Sequence, residues 1–216
     1  MRLILVRHGQ TFSNVNHALD TAEPGAELTE LGRSQAAALV DTFGEHEIDR
    51  LVTSHLVRTQ QTAAPLAQSL GVAPLVDPRI REVVAGDLEM ANDFRSITTY
   101  ITTLAKWMTG ELSARMPGAE TGHEVLERFD AAVSAVQGEL DGGTAMFVSH
   151  GAIIRMWSAV RAANAPDGWG VENVLGNTDS VVLTHEQGNW RVETWQGIDM
   201  PRHSVVAGVS DRDGRL

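Results

Sequence analysis

The sequence contains no cysteine. This absence excludes disulfide frameworks, thiolate metal sites and the phosphatases that form a cysteinyl-phosphate. Long apolar runs are also missing, since no stretch approaches the length that spans a bilayer. The short apolar stretch near the amino terminus leads directly into Arg7-His8-Gly9, unlike a signal peptide. We therefore expect a soluble, cytoplasmic protein with no membrane partner.

Basic residues are in the minority. The chain has 17 Lys and Arg against 28 Asp and Glu, a formal net charge of −11 at pH 7. Nucleic acids are bound through clustered cations, so we expect no nucleic-acid partner. An acidic protein also repels an anionic substrate at long range. Any phosphate pocket in this chain must therefore concentrate its arginines locally.

The length and composition predict one globular domain. A chain of 216 residues, 43% of them hydrophobic, is long enough to bury a core. We assign residues 1–200 to a single domain and the polar residues 201–216 to a poorly ordered carboxy-terminal tail.

Short apolar runs alternate with amphipathic stretches along this domain, which indicates an α/β fold. Strands are predicted at residues 3–6, 50–54, 72–76 and 144–148, with a closing hairpin at 180–184 and 190–195. Helices are predicted from the N-cap Thr29 to Phe43, over 55–70, after a capping box at Thr121 and Glu124, and over 152–160. In the first of these helices, we expect Leu31, Gln35, Leu39 and Phe43 to lie on one apolar face.

Residues 86–118 have a different character and are interpreted as a helical cap inserted over the sheet. Their apolar residues recur at helical spacing, at Ile97, Ile101, Leu104 and Met108. We expect Trp107, Met108 and Met116 to belong to the core rather than to the walls of a substrate pocket.

The first strand ends in an unusual way, because Leu3 to Val6 is followed at once by Arg7-His8-Gly9. In open α/β sheets the carboxyl ends of the strands form the edge where ligands bind. Arginine is a planar fork for anions, and a neutral imidazole beside it can attack phosphorus or move a proton. The segment therefore predicts a phosphate site with a nucleophilic histidine.

A second strand has the same ending. Ser149-His150-Gly151 follows a buried strand and opens a helix, whose free backbone N–H groups suit a phosphate oxygen. A third strand end is followed by Arg58 on the first turns of another helix. The alternation of strands and helices predicts that His8, Arg58 and His150 converge at one edge of the sheet.

Four motifs in this order resemble the histidine phosphatase superfamily, also called phosphoglycerate mutase-like. They are Arg7-His8-Gly9-Gln-Thr-x-x-Asn14, Leu28-Thr-x-x-Gly32, Ser54-x-x-x-Arg58-Thr-x-Gln-Thr62 and Ser149-His150-Gly151. The resemblance extends from the first residues to about Thr194. It implies a three-layer α/β/α sandwich with a mostly parallel central sheet and a small helical cap.

The resemblance also implies roles for individual residues. His8 would accept the phosphoryl group as a phosphohistidine. Its non-bridging oxygens would be held by Arg7, Arg58, His150 and Asn14, with Gly151 at the helix start as a further phosphate contact. Glu82, in the segment after the third strand, would be the general acid and base, although Asp87 and Glu89 lie close to it in sequence. Nothing in this scheme requires a metal or another cofactor.

The favoured function is therefore the hydrolysis of a phosphomonoester on a small phosphorylated metabolite. A phosphoglycerate mutase using the same histidine is the alternative. The family's mutases carry an arginine pair after the acid, whereas residues 94–100 contain one arginine, and the family's aromatic-Glu-Gly is replaced by Leu88-Glu89-Met90. A non-catalytic phosphate-binding module and a metal-dependent hydrolase are less favoured, the latter because the usual metal-ligand spacings are absent. A homodimer is compatible with the sequence.

Overall fold

A computed structural model describes residues 1–140 and 142–200 of the protein. The predicted tail, residues 201–216, lies outside the described residues. The strands are β1 (Arg2–Arg7), β2 (Arg50–Thr53), β3 (Leu75–Val76), β4 (Thr144–Ser149), β5 (Ser180–Glu186), β6 (Asn189–Trp195) and β7 (Ile198–Asp199). The α-helices are α1 (Phe12–Val15), α2 (Glu30–Phe43), α3 (Val57–Leu70), α4 (Phe94–Met108), α5 (Gly122–Glu139), α6 (Gly151–Arg161) and α7 (Trp169–Glu172). Two short 3-10 helices cover Pro78–Ile80 and Gly86–Leu88.

The described strands form one sheet in the order β3-β2-β4-β1-β5-β6-β7. β3, β2, β4 and β1 pair in parallel, whereas β5, β6 and β7 continue the sheet in antiparallel pairing. The mixed α/β prediction is confirmed, but the prediction of a mostly parallel sheet holds for only four of the seven strands. The predicted hairpin accounts for the antiparallel pairing of β5 with β6, because a tight turn joins neighbouring strands only in this way. The antiparallel pairing of β5 with β1 was not predicted.

Both faces of the sheet are covered. Successive residues of a strand point to opposite faces, and in β1 the residues Leu3 and Leu5 pack into one apolar core while Ile4 and Val6 pack into another. The first core includes residues of α4, α5 and α6, and the second includes residues of α2 and α3. A strand buried on both sides reads as a continuous apolar run, which is the pattern that β1 shows in the sequence.

Two helices bury a different face from the one expected. In α2, Leu31 is 53% exposed, and the buried positions are Gly32, Ala36, Leu39 and Phe43. Gly32 lies against the loop after β1 so closely that a Cβ there would stand 2.1 Å from the carbonyl oxygen of Gln10. This backbone contact turns the small residues of α2 inward and Leu31 outward.

The cap contains α4, which packs on α6 and α7. Its buried positions are Tyr100, Thr103, Leu104 and Trp107, whereas Ile101 is 54% exposed. Trp107 and Met116 are fully buried in the core, and Met108 packs against that core, as expected for all three. The other predicted elements are confirmed to within a few residues, although β3 is shortened to two. Within the described residues no helix combines the length and apolar character needed to cross a membrane.

Candidate active site

The two histidines that end β1 and β4 lie side by side. Parallel pairing sets Arg7 opposite Ser149, so His8 and His150 leave the sheet at the same level. Their ring centroids are 5.3 Å apart, and both residues are buried. The convergence predicted from the two strand ends is therefore confirmed in its geometry.

His8 has ring nitrogens in different environments. Nδ1 lies 2.7 Å from the carbonyl oxygen of Gly9. A carbonyl oxygen only accepts, so Nδ1 carries the hydrogen and Nε2 keeps its lone pair. Burial, followed by the charges of Arg58 and Arg7, lowers the pKa of His8 well below its ordinary value. His8 is therefore a neutral imidazole with a free Nε2.

His150 is completely buried, and neither of its ring nitrogens has a hydrogen-bond partner among the described residues. Burial and the charge of Arg58 lower its pKa well below the ordinary value. A buried polar group without a partner costs about 1–3 kcal/mol. The one N–H of this neutral ring lies beside His8 and can donate to an oxygen of an anionic ligand.

Arg7 and Arg58 are each held at one end and unpaired at the other. Arg7 Nη1 donates to the carbonyl oxygen of Leu175, and Arg58 Nη2 donates to that of Asp20 at 2.9 Å. Arg7 Nε and Arg58 Nη1 are buried without a hydrogen-bond partner among the described residues, although a carboxylate oxygen of Asp20 lies 3.8 Å from Arg58 Nη1. Burial lowers the pKa of both groups, yet an arginine in a protein remains protonated. Two fixed positive charges thus face the histidines.

The loop that carries Asp20 fits closely around Arg58. Gly25, with φ at +73°, leaves no room for a Cβ, which would stand 2.3 Å from Arg58 Nη1. Thr62, one turn further along α3, accepts from the N–H of Gly9 at 2.9 Å and donates to the carbonyl oxygen of Arg58. Residues from β1, α3 and this loop therefore hold Arg58 and His8 in one rigid arrangement.

Asn14 and Asn177 form a pair next to His8. Asn14 Oδ1 accepts from the N–H of Thr11 and from Asn177 Nδ2, both at 3.1 Å. Asn177 Nδ2 also donates to the carbonyl oxygen of His8 at 3.0 Å. From the sequence Asn177 resembles the family's segment near the site, but it is more simply read as a turn residue. The structure instead brings it into contact with two predicted site residues.

Glu82 reaches the start of α6. One of its carboxylate oxygens accepts from the N–H groups of Val83 and Ile153, and the other accepts from the N–H of Ala152 at 3.1 Å. Two N–H groups that directly follow Gly151 are thus occupied by Glu82 rather than open to a ligand. Gly151 itself lies against Arg7, since a Cβ there would be 3.1 Å from Arg7 Nε.

A cavity of about 100 Å³ brings five of the predicted site residues together, whereas His150 and Gly151 are not in its lining. It is lined by Arg7, His8, Thr11, Ser13, Asn14, Ala18, Leu19, Asp20, Thr21, Arg58, Glu82 and Tyr100. Of the three acids considered from the sequence, Glu82 is the one that lines it. Asp87 is exposed, and Glu89 accepts from the N–H groups of Thr21 and Ala22. A larger cavity of about 620 Å³, around the β5–β6 hairpin, has none of the predicted site residues in its lining.

Besides Thr11, which lies within the first motif, sequence reasoning missed four polar residues of the cavity, Ser13, Asp20, Thr21 and Tyr100. Ser13 donates to Asp20 at 2.6 Å, and Tyr100 donates from its buried hydroxyl to the carbonyl oxygen of Val83 at 2.8 Å. None of them belongs to a motif, and Tyr100 reaches the site only through the packing of the cap. Within residues 1–140 and 142–200, no three His, Asp or Glu side chains are arranged to hold a metal ion together.

Comparison with known proteins identifies the family of the chain. A family model described as the histidine phosphatase superfamily, branch 1, matches residues 3–197. A probable phosphoglycerate mutase GpmB from Cronobacter sakazakii is 33% identical over 155 residues, which cover 70% of this chain and 70% of that protein. The PE-PGRS family protein PE_PGRS11 from Mycobacterium tuberculosis is 32% identical over 94% of this chain, and the chain spans 38% of that relative's length.

A solved structure is also similar. The mycobacterial glucosyl-3-phosphoglycerate phosphatase in complex with VO3 matches with a TM-score of 0.77 at 27% sequence identity. The match covers 90% of this chain and 98% of that one. The overall fold of the two proteins is therefore similar over most of this chain and nearly all of the other.

Proposed function

Because the chain belongs to the histidine phosphatase superfamily, branch 1, we propose that it is a phosphomonoester hydrolase that forms a phosphohistidine at His8. One observation carries the proposal. Arg7, Arg58 and a neutral His8 with a free Nε2 line one small cavity, and the ring of His150, whose nitrogens have no partner among the described residues, lies 5.3 Å from the ring of His8 between centroids. Phosphoryl transfer spreads negative charge over three oxygens, and fixed donors stabilise that charge without reorganisation.

In the proposed first step, His8 Nε2 attacks phosphorus while the bond from phosphorus to the leaving oxygen breaks. Glu82 gives its proton to that oxygen, which departs as an alcohol. Glu82 Oε2, with one N–H partner against two for Oε1, is the oxygen better placed to carry the proton. The hydrogen bond from Nδ1 to Gly9 stabilises the positive charge that the His8 ring acquires.

In the second step, water attacks the phosphohistidine. Glu82, now a carboxylate, takes the proton from the water, and the phosphorus–nitrogen bond breaks. Inorganic phosphate leaves, His8 is neutral again and Glu82 is protonated for the next cycle. Arg7, Arg58, His150 and Asn14 hold the non-bridging oxygens in both steps.

The proposed substrate is a small phosphorylated metabolite. A cavity of about 100 Å³ is roughly three times the ~30 Å³ that one water occupies in the liquid. It therefore accommodates a phosphoryl group, and the rest of the metabolite must extend outward. The cap contributes to this cavity, because Met90 donates its N–H to the carbonyl oxygen of the cavity residue Leu19 and Tyr100 lines the cavity directly. Residues 86–118 are thus proposed to select the metabolite.

Phosphoglycerate mutase activity is the second candidate, favoured by the relative named as a probable phosphoglycerate mutase. A mutase must retain a phosphoglycerate, whose carboxylate needs a cation in addition to those that hold the phosphoryl group. Among the described residues, Arg7 and Arg58 are the only arginines or lysines in the lining of the cavity. Because the lining formed by the described residues offers no further arginine or lysine to retain a phosphoglycerate, release of the product, and therefore hydrolysis, is favoured over transfer.

A labelling experiment tests the proposed function. Brief mixing with a labelled phosphomonoester is expected to leave acid-labile, base-stable phosphate on His8. His8→Ala should lose the label and at least about a thousandfold in kcat, because the nucleophile is removed. The exposed His123, changed to Ala, is the matched control and should label normally. Label on another residue, or turnover unchanged in His8→Ala, would falsify the proposal, and conversion of one phosphoglycerate isomer into another would identify a mutase.

A further inference from the structure

The acid segment, residues 79–83, has an unusual set of hydrogen bonds. Within it, every carbonyl oxygen accepts a hydrogen bond from a side chain, and no residue belongs to a strand of the described sheet. Ser149 Oγ donates to the oxygen of Ile80 at 2.7 Å, and the Tyr100 hydroxyl donates to that of Val83 at 2.8 Å. The oxygens of Arg79, Arg81 and Glu82 all accept from Arg128, at 2.8, 2.9 and 3.0 Å.

Arg128 is the centre of this network. It lies on α5, its side chain is 10% exposed, and its two remaining N–H groups donate to Glu120 at 2.8 and 3.2 Å. All five donors of the guanidinium are therefore used. Glu120 balances its charge and also accepts from Arg81. Burial lowers the pKa of Arg128 while Glu120 opposes that effect.

The segment carries Glu82, whose carboxylate is fixed at its other end by the N–H groups that begin α6. That helix begins directly after His150. Arg128 thus holds the backbone of Glu82 from one side while the histidine's own helix holds the carboxylate from the other. Glu82 lines the cavity, whereas Arg128 does not, so Arg128 affects the cavity only through the acid segment.

From these contacts we propose that Arg128 is a positioning residue for the reaction, which sets the location of Glu82 relative to His8 by holding the carbonyl oxygens of the acid segment. The proposal rests on the proposed function, in which Glu82 protonates the leaving oxygen. Arginine suits the task because its rigid fork reaches three carbonyls and one carboxylate at once, whereas lysine offers three donors from a single point.

The leaving group of the substrate distinguishes a positioning role from a merely structural one. If Arg128 positions Glu82, the loss of activity in an Arg128 variant depends on the leaving group. An alkyl alcohol is a poor leaving group and needs a proton as it departs, whereas nitrophenol departs readily as an anion. General acid catalysis contributes about 100- to 10,000-fold where it is needed. Misplacement of Glu82 should therefore slow the cleavage of an alkyl phosphate far more than that of an aryl phosphate.

The experiment compares kcat/KM for ethyl phosphate and p-nitrophenyl phosphate, which reports the step in which the leaving group departs. For Arg128→Met we expect a loss of about a hundredfold or more with ethyl phosphate and less than about tenfold with p-nitrophenyl phosphate. Arg128→Lys should lie between this variant and the wild type, and it keeps the test usable if Arg128→Met does not fold. Arg161→Met removes a half-exposed ion pair with Asp130, also on α5, and should change neither value.

Glu82→Gln separates the failure of this proposal from the failure of the proposed function. This variant should show the same dependence on the leaving group, because the amide that replaces the carboxyl group has no acidic proton to give to the leaving oxygen. Suppose that Glu82→Gln loses much more activity with ethyl phosphate than with p-nitrophenyl phosphate. If both Arg128 variants then lose the same factor on the two substrates, or lose no activity, Arg128 is not a positioning residue. If Glu82→Gln shows no such dependence, the role of Glu82 as general acid is wrong and the proposal for Arg128 is overturned with it.

Discussion

At the scale of single residues, the orientation of one amide determines what Asn14 can offer a ligand. Its Oδ1 accepts from the N–H of Thr11 and from Asn177 Nδ2. With the oxygen occupied in this way, the NH2 group of Asn14 is the end available to the cavity, and it can only donate. Asn177 therefore acts on the ligand indirectly, by holding Asn14 in the orientation that suits an anion.

Replacing Asn177 should weaken phosphate binding. Asn177→Ala removes the donor to Asn14 and to the carbonyl oxygen of His8, and we expect kcat/KM to fall about tenfold, equivalent to about 1.4 kcal/mol. Asn177→Asp should lose more, because its oxygen would face Asn14 Oδ1 and favour a flipped Asn14 amide. The inhibition constant of inorganic phosphate measures the effect. Asn173→Ala, which removes a bond within α7, is the control, and wild-type inhibition by phosphate in Asn177→Asp would contradict the interpretation.

At the scale of elements, the ends of strands and helices supply most of the site. β1 and β4 deliver the two histidines at one level because they are parallel neighbours. The start of α6 fixes the carboxyl group of Glu82 through the N–H groups of Ala152 and Ile153, which have no partner within the helix. α5 contributes from its middle, where Arg128 holds the acid segment. The site therefore depends on how firmly each helix is anchored.

The amino terminus of α5 offers a test of this anchoring. Thr121 and Glu124 form a capping box, with the N–H of Glu124 donating to Thr121 Oγ1 and that of Thr121 donating to Glu124. Thr121→Ala should lower the free energy of unfolding by about 1 kcal/mol. Thr121→Ser keeps the hydroxyl and should be close to the wild type. Urea denaturation measures both, and equal losses in the two variants would show that the hydroxyl does not cap the helix.

At the scale of the whole molecule, the site is a cationic exception in an acidic protein. The chain carries a formal net charge of −11, yet two guanidinium groups and the imidazole of His8 line one small cavity, with the imidazole of His150 beside that of His8. Burial and the arginines keep the imidazoles neutral, because the pKa values of His8 and His150 are both lowered. Folding thus holds two titratable groups in their uncharged form, and this affects stability.

Stability should fall as the pH decreases below about 6.5. In the unfolded chain each histidine binds a proton near that pH, whereas the folded state does not until the pH is much lower. The unfolded state then binds more protons, so the free energy of unfolding decreases, by up to about 1.4 kcal/mol per pH unit for each histidine. Denaturation in phosphate-free buffer between pH 6.5 and 5.5 measures the slope, at a pH where most carboxylates remain ionised.

Two variants check which histidines cause this slope. His150→Gln should give a shallower dependence on pH than the wild type, because one of the two buried imidazoles is removed. His123→Gln changes an exposed histidine and should leave the slope as it is. Identical slopes in His150→Gln and the wild type would show that His150 is not held neutral by folding.

Much of the fold and of the site follows from local patterns. The apolar runs of β1 and β4 and the N-caps Thr29 and Thr121 are confirmed where they were expected. The faces of α2 and α4 were predicted less well. Helical periodicity shows that an apolar face exists, but the neighbouring backbone decides where it is centred, as the contact of Gly32 with Gln10 demonstrates.

The sequence by itself determined the residues that meet at the carboxyl ends of β1 and β4. His8 and His150 directly follow buried strands, and parallel pairing of those strands is sufficient to bring them together. Only the tertiary structure decided the supports of the site, such as the contact of Asn177 with His8, 169 positions away, and that of Arg128 with the acid segment. The physical reason is that a strand and the residue that follows it are encoded locally. A hydrogen bond between distant residues exists only after packing has brought them together.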